Sequence, residues 1–219
     1  MQEIIICVDN NDTEVGYIEK MDAHIKGILH RALSIFIFND KKELLLQKRY
    51  SGKYHSPNLW TNTCCTHPNK NENIVSAAKR RLQEEMGFSC DLKEVFSFIY
   101  YIEFDNGLIE HEFDHVFFGR YSGEVNTNPL EVEEYKWLSL DKLKLDLKSN
   151  PEKYTFWFRE FTLYFLKAKR LIPEPGEKEP AVFRQWLLCK RSFYHCSNIS
   201  LLLCYATALR HAEQNVISR

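Results

Sequence analysis

The segment from Glu72 to Met86 constrains the fold of this chain more than any other. Its apolar side chains recur at helical spacing and predict a helix with one buried face: Ile74, Ala78, Leu82 and Met86. Asn71 is the expected cap at its start, and Gly87 is expected to end it. The last turn carries Glu84 and Glu85, although the negative end of the helix dipole disfavours acidic residues there. Two interpretations account for these glutamates: they lie on a charged surface that faces solvent, or they form part of a binding site.

Short apolar runs on both sides of this helix are typical of β-strands. They comprise residues 1–8, 32–38, 44–49, 95–102, 113–121 and 135–138, with a hairpin turn expected at residues 39–43. Residues 140–147 and 154–170 are predicted helices. This order of strands and helices predicts an α/β (α+β) fold, in which a sandwich-like mixed sheet is flanked by helices.

The whole-chain composition argues against several classes of protein. The 219 residues include 29 basic and 30 acidic side chains, so the net charge of −1 disfavours a general nucleic-acid-binding surface. No apolar run reaches the roughly 20 residues that a membrane span requires, and residues 1–8 lack the pattern of a secretory signal. We therefore expect a cytoplasmic protein whose seven cysteines are thiols. The sequence leaves its oligomeric state open.

The composition changes near Leu171. Residues 172–180 are rich in proline, glycine and charge, which is typical of a segment between structural units. The residues beyond it offer few apolar anchors for an independent core. We expect one catalytic domain at residues 1–172 and a C-terminal appendage of unknown role at residues 173–219, either helical or poorly ordered.

Imidazoles and carboxylates outside the helix suggest a metal site. The candidate ligands come from four separate segments: His24, His30, His67, Glu110 and Glu112. Glu110 and Glu112 project from one face if they lie on a strand. Together the five side chains make an N3O2 set that suits Mn²⁺, Mg²⁺ or Zn²⁺. Taken singly, each histidine is more often structural, and spacing alone does not establish that the four segments meet.

The helix and the loop before it follow the order of the Nudix box. That box reads Gly-x5-Glu-x7-Arg-Glu-apolar-x-Glu-Glu-x-Gly-apolar and holds a divalent metal and a diphosphate. Here Thr66 replaces its first glycine and Arg81 replaces a glutamate, which argues against ordinary pyrophosphate hydrolysis. With the motifs at residues 29–32, 60–68, 84–87 and 110–112, the chain resembles type I isopentenyl-diphosphate delta-isomerases over residues 1–170. The resemblance implies a Nudix-like fold.

The resemblance also implies roles for individual residues. It implies catalytic roles for Cys65, Glu112, Tyr100 and Trp157, and diphosphate-binding roles for Lys20, Arg49, Lys53 and Arg81. It implies a divalent metal (Mn²⁺, Mg²⁺ or Zn²⁺) at His24, His30, His67, Glu110 and Glu112, and a Mg²⁺ on the substrate diphosphate at Glu85. Tyr101 beside Tyr100 leaves the identity of the functional tyrosine open.

The implied reaction converts isopentenyl diphosphate to dimethylallyl diphosphate through a tertiary carbocation, in isoprenoid biosynthesis. It needs proton-transfer groups on opposite faces of the substrate, expected to be Glu112 with Tyr100 on one face and Cys65 on the other. Within the same fold, the alternative is a Nudix hydrolase of a nucleoside diphosphate. A binding module without catalysis is a third interpretation, which the retained cysteine, glutamates and candidate ligands disfavour.

Overall fold

The computed structural model describes residues 2–159 and residue 162. In this part of the chain, nine strands form one mixed sheet: β1 (Ile4–Val8), β2 (Glu14–Glu19), β3 (His30–Phe38), β4 (Glu43–Arg49), β5 (Trp60–Thr61), β6 (Cys64–Thr66), β7 (Leu92–Glu103), β8 (Ile109–Arg120) and β9 (Val132–Ser139). The same residues form α1 (Lys20–Lys26), α2 (Ile74–Met86) and α3 (Leu140–Ser149), then a 3-10 turn (Pro151–Lys153). The predicted α+β class, a mixed sheet with helices, is confirmed.

Strand β3 is the centre of the sheet. It pairs in parallel with β8 over residues 30–38 and antiparallel with β6 over residues 33–35. The predicted hairpin between β3 and β4 is present, but the two strands share a single residue pair, Phe38 with Leu44. β4 pairs instead with β9 along most of its length. The sheet therefore branches at β3 and curls.

Alternate residues of β3 serve the two faces of the sheet. Leu33, Ile35 and Ile37 join a buried core with the apolar side of α2, whereas His30 and Ser34 point to the opposite face because strand side chains alternate. Strand β8 follows the same rule. Its Phe117 lies in the core with α2, and its acidic residues at even-numbered positions lie on the face of His30. The second face is where the candidate site forms.

Helix α2 begins later than the sequence predicted. Asn73 caps it by accepting the N–H groups of Val75 and Ser76, so the prediction of Asn71 as the cap was wrong. Asn71 instead lies in the left-handed region, with φ of 64°. Gly87 ends the helix as predicted, with φ of 75° and its N–H donated to the carbonyl of Gln83. The cap is the asparagine whose side chain accepts the first free N–H groups of the helix. The spacing of the apolar residues does not show whether that is Asn71 or Asn73.

Two predicted segments reach beyond the described residues. Residues 156–159 are helical, as the prediction for residues 154–170 requires, and most of that segment lies outside the described part. The proposed appendage at residues 173–219 lies wholly outside it, so the division after residue 172 stays a prediction. Among the described residues, no helix combines the length and the apolar composition that crossing a membrane needs.

Candidate active site

Helix α1 carries two site residues one turn apart, Lys20 and His24. Glu19 caps its start by accepting the N–H of Asp22 at 3.1 Å, and Gly27 ends it with φ of 63°. The helix has seven residues, too few for apolar periodicity to indicate it, and the sequence did not predict it. Its i, i+4 spacing is what brings an imidazole and an ammonium to the same side.

Four buried side chains form the centre of the site: His24, His30, His67 and Glu112. Their ligand atoms lie within 4.8 Å of one another. His30 Nε2 lies 3.2 Å from His67 Nε2, which lies 2.9 Å from Glu112 Oε1. The Nδ1–H groups of His24 and His30 each donate to a backbone carbonyl at 2.7 Å. These hydrogen bonds fix the tautomer of a neutral ring and leave its Nε2 lone pair for a metal.

The electrostatics of this group suit a divalent cation. Burial lowers the pKa of His67 to about 4, so the ring is neutral near pH 7. Burial alone would raise the pKa of Glu112, but the hydrogen bond with His67 and the neighbouring His30 ring hold that pKa well below its usual value. Buried Nε2 of His24 has no hydrogen-bond partner among the described residues. Neutral imidazoles beside a carboxylate, with an unpaired lone pair, fit a divalent metal.

Glu110 lies in a second buried group, with His24 and His55, whose ligand atoms also lie within 4.8 Å of one another. His55 Nε2 is 3.1 Å from Glu110 Oε1. Burial and the negative charge of Glu112 raise the pKa of Glu110 well above its usual value. Because His24 belongs to both groups, the structure brings the five ligands expected from the sequence to one place.

Of the two adjacent tyrosines, Tyr100 lies at the site. Its hydroxyl donates to Glu112 Oε2 at 2.6 Å and to Glu110 Oε2 at 3.1 Å. Burial and these two carboxylates raise the pKa of Tyr100 well above its usual value. Tyr101 is 46% exposed and donates to Glu103, whereas Tyr100 is 8% exposed. Strand alternation separates them, since Tyr100 pairs opposite Glu112 in the sheet.

The two adjacent cysteines of β6 also point to opposite faces. Cys64 is fully buried in the core against α2. Cys65 is partly buried, with Sγ 3.2 Å from Asn62 Oδ1 and 3.5 Å from Ser34 Oγ. Ser34 in turn donates to the buried carboxyl of Asp114 at 2.8 Å. Burial and Asp114 raise the pKa of Cys65 to about 12, so its thiol is neutral at pH 7.

Two of the predicted diphosphate-binding cations share one carboxylate. Lys53 and Arg81 both form ion pairs with Glu131. Arg81 also lies 2.7 Å from Glu85 Oε1, and Gln47 donates to Glu85 Oε2 at 2.7 Å. Glu85 therefore stands at the end of α2, outside both groups of His and Glu residues. Both of its oxygens have a partner, so a Mg²⁺ on a substrate diphosphate would have to share or replace Arg81 or Gln47 at this carboxylate.

The other two cations lie in different surroundings. Lys20 lies 3.0 Å from Glu3 Oε2, while the Arg49 guanidinium lies 5.3 Å from the centre of the Trp157 ring. Trp157 is buried and lines a narrow crevice together with Ser34, the hydroxyl partner of Cys65. Ser34 thus contacts the thiol and lines the crevice of the indole, and the catalytic roles of Cys65 and Trp157 stay predictions.

Several polar residues at the site were not predicted, among them His55, Asp114 and Glu131. Asp114 could have been predicted from the sequence, because the two-residue alternation that puts Glu110 and Glu112 on one face of β8 also puts Asp114 there. His55 and Glu131 lie in loops, where no periodicity indicates a direction for the side chain.

Comparisons with known proteins identify the family. The NUDIX domain model matches residues 28–158. Isopentenyl-diphosphate Delta-isomerase 2 of Aromatoleum aromaticum is 53% identical over 157 residues, which cover 72% of this chain and 83% of that protein. The protein of the same name from Photorhabdus laumondii is 52% identical over 160 residues, 73% of this chain and 90% of its own length. The chain belongs to the isopentenyl-diphosphate Delta-isomerase family.

The fold of this isopentenyl-diphosphate Delta-isomerase family member also matches solved structures. DR0079 from Deinococcus radiodurans superposes with a TM-score of 0.61 at 19% identity, covering 74% of this chain and 98% of that one. At that identity the match concerns the fold alone. The Nudix fold and the family, both expected from the loop and helix around residues 60–88, are therefore confirmed.

Proposed function

We propose that this chain converts isopentenyl diphosphate to dimethylallyl diphosphate, in isoprenoid biosynthesis, by metal-dependent protonation and deprotonation through a tertiary carbocation. One observation carries the proposal. Cys65 on β6 and Glu112 on β8 flank β3 from its two sides and lie on the same face of the sheet. We infer that the substrate lies between them, with a proton-transfer group on each side, which is what moving a double bond needs.

The two proton-transfer groups differ in protonation state. A neutral Cys65 thiol and an ionised Glu112 hold one transferable proton between them. One group must give a proton to the terminal carbon of the alkene, and the other must take one from C2, so a single proton is sufficient. Tyr100 donates to Glu112 and stabilises its charge. We expect the reaction in the cytoplasm, where a thiol at position 65 stays reduced.

Trp157 is the residue we assign to the carbocation. An aromatic face stabilises a desolvated cation by about 2 kcal/mol and offers no nucleophile to trap it. Trp157 shares its crevice with Phe36 and Phe98, and these apolar walls exclude the water that would otherwise add to the cation.

We assign the substrate diphosphate to Lys20, Arg49, Lys53 and Arg81. Lys53 and Arg81 now contact Glu131, so a diphosphate would replace this carboxylate as their partner. The bidentate fork of a guanidinium suits phosphate oxygens. Glu85, at the end of α2, would hold a Mg²⁺ that neutralises part of the diphosphate charge.

We assign the second divalent metal (Mn²⁺, Mg²⁺ or Zn²⁺) to His24, His30, His67, Glu110 and Glu112. When bound, this ion would supply positive charge that lowers the pKa of the groups attached to it. The contribution of the chain is geometric. Backbone carbonyls fix the rings of His24 and His30, and Tyr100 holds both carboxylates at once.

Hydrolysis of a nucleoside diphosphate is the alternative within the Nudix fold. Arg81 takes the place of a box glutamate and forms ion pairs with Glu84, Glu85 and Glu131. Arg81 thus replaces one carboxylate of a hydrolytic metal cluster with a positive charge. This observation favours isomerisation.

Turnover of isopentenyl diphosphate by the purified full chain tests the proposal. We expect NMR to show the allylic methyl signals of dimethylallyl diphosphate, and a chelator to abolish their appearance until Mg²⁺ with Mn²⁺ or Zn²⁺ is restored. Phosphate release from a panel of nucleoside diphosphates should stay at background. Unchanged turnover in chelator would contradict the metal requirement, and phosphate release without isomerisation would favour the hydrolase.

A further inference from the structure

We propose that His55 is a positioning residue that holds the Glu110 carboxylate in place for the metal centre. The inference rests on the proposed function, because it assigns a task to a residue beside that centre. His55 Nε2 lies 3.1 Å from Glu110 Oε1, and both side chains are buried. The other oxygen of Glu110 accepts from Tyr100 at 3.1 Å. The carboxylate is therefore fixed from both of its oxygens.

The orientation of the His55 ring supports a donor role. Its Nδ1 lies 3.4 Å from the hydroxyl of Ser56, which can donate to it, and this leaves the ring proton on Nε2 for Glu110. Phe104 stacks on the ring at 4.9 Å, with 21° between the planes. Tyr54 and Trp157 meet it edge-on at 4.5 and 5.7 Å. Three aromatic neighbours thus hold the imidazole in one orientation.

A positioning role fits the cluster better than a second metal ion. The group of Glu110, His55 and His24 shares His24 with the group of His30, His67 and Glu112. The Nδ1 of His24 already donates to a backbone carbonyl, so its one remaining nitrogen can bind one ion. Ligating carboxylates are themselves hydrogen-bonded by neighbouring residues, and losing such a partner weakens metal binding about 10–100-fold.

His55 also links the metal centre to the substrate end of the site. Its backbone carbonyl accepts from Arg49 at 3.2 Å, and the Arg49 guanidinium lies over Trp157. The ring itself contacts Glu110 and the edge of Trp157, so a change in it reaches a proposed carboxylate ligand and the proposed carbocation site together. We expect its loss to lower kcat more than it raises KM, because it leaves the diphosphate cations in place.

Two variants of the full chain separate the possible roles. His55→Gln keeps an N–H at the position of Nε2, whereas His55→Phe keeps the ring and removes the donor. The protein is stripped with a chelator and titrated with Zn²⁺, and circular dichroism and Tm report folding. We expect Zn²⁺ binding about 10–100-fold weaker in His55→Phe and close to wild type in His55→Gln. His55→Met, similar in shape to Gln without the donor, repeats the test if His55→Phe does not fold.

Each outcome has one meaning. Equal Zn²⁺ affinity in wild type and His55→Phe would overturn the role of His55 and leave the metal centre standing. Equal losses in the Gln and Phe variants would make the imidazole itself a ligand and overturn the positioning role. A folded wild-type chain that binds no Zn²⁺ or Mn²⁺ would instead contradict the proposed metal centre.

Discussion

At the scale of the residue, the neighbouring thiols of Cys64 and Cys65 offer a matched pair of variants. Cys65→Ala should lower kcat about 10²–10⁴-fold, as expected for the loss of an acid–base group, with little change in the free energy of unfolding. Cys64→Ala should keep kcat and lower the free energy of unfolding by about 1 kcal/mol, because it removes one buried atom from the core. Steady-state kinetics and urea denaturation measure the two effects.

Equal activity in the two variants would contradict the assignment of Cys65. The same alternation explains which site residues the sequence could predict. On strands, side chains alternate between the two faces, so Tyr100 and Tyr101 lie on opposite faces and Glu110 and Glu112 on the same one. There the residues that the family motif indicates are also the ones that the alternation directs to one face. In loops no period exists, and the contact of His55 with Glu110 depends on a chain path that only the folded molecule defines.

At the scale of the element, Gly87 determines where α2 ends. Its φ of 75° is unfavourable for other residues, and an added Cβ would lie 2.3 Å from the backbone carbonyl oxygen of Asn126. Gly87→Ala should therefore lower the free energy of unfolding by about 1–3 kcal/mol. Ser89→Ala, two residues further on, is the control and should change stability little. Urea denaturation of both variants measures the effect, and wild-type stability in Gly87→Ala would contradict it.

Helix α2 was predictable because thirteen residues allow several turns of apolar periodicity. Strands β1, β3, β4, β7, β8 and β9 were predictable from their apolar runs, with ends that differ by a few residues. Strand β2 and helix α1 were not, since β2 has no buried residue and α1 is short. These two elements position Lys20 and His24. The sequence therefore indicated both site residues of α1 but not the helix that carries them.

At the scale of the whole molecule, the buried imidazoles make the metal-free protein sensitive to acid. Burial lowers the pKa of His67 to about 4 and of His55 to about 2, against 6.5 when unfolded. Below pH 6.5 these two side chains bind protons in the unfolded chain but not in the folded one, so their contribution to stability is complete above pH 6.5 and falls with the pH. Between pH 7.5 and 5.0, each ring should lower the free energy of unfolding by about 2 kcal/mol, while Glu110, whose pKa burial raises, acts in the opposite direction.

Urea denaturation in chelator at pH 7.5 and 5.0 measures this loss. His67→Gln removes one of these rings, so its free energy of unfolding should fall about 2 kcal/mol less than that of the wild type between the two pH values. An equal pH dependence in the two proteins would contradict the lowered pKa of His67.

The global arrangement was predictable only as a class. Strand order along the chain indicates a mixed sheet, but the parallel pairing of β3 with β8 is a long-range choice that local patterns do not encode. The specific fold was predictable only from the Nudix-box residues, because a family motif implies the fold that surrounds it.

That pairing has a consequence for how the protein is made. His30 lies beside Glu112, 82 positions later in the chain, and a loop of this length closes at an entropic cost before its contacts form. During synthesis His24, His30 and His67 leave the ribosome before β8 exists. The nascent chain therefore exposes three imidazoles before Glu110 and Glu112 have been made, and the proposed metal centre is complete only once β8 has docked.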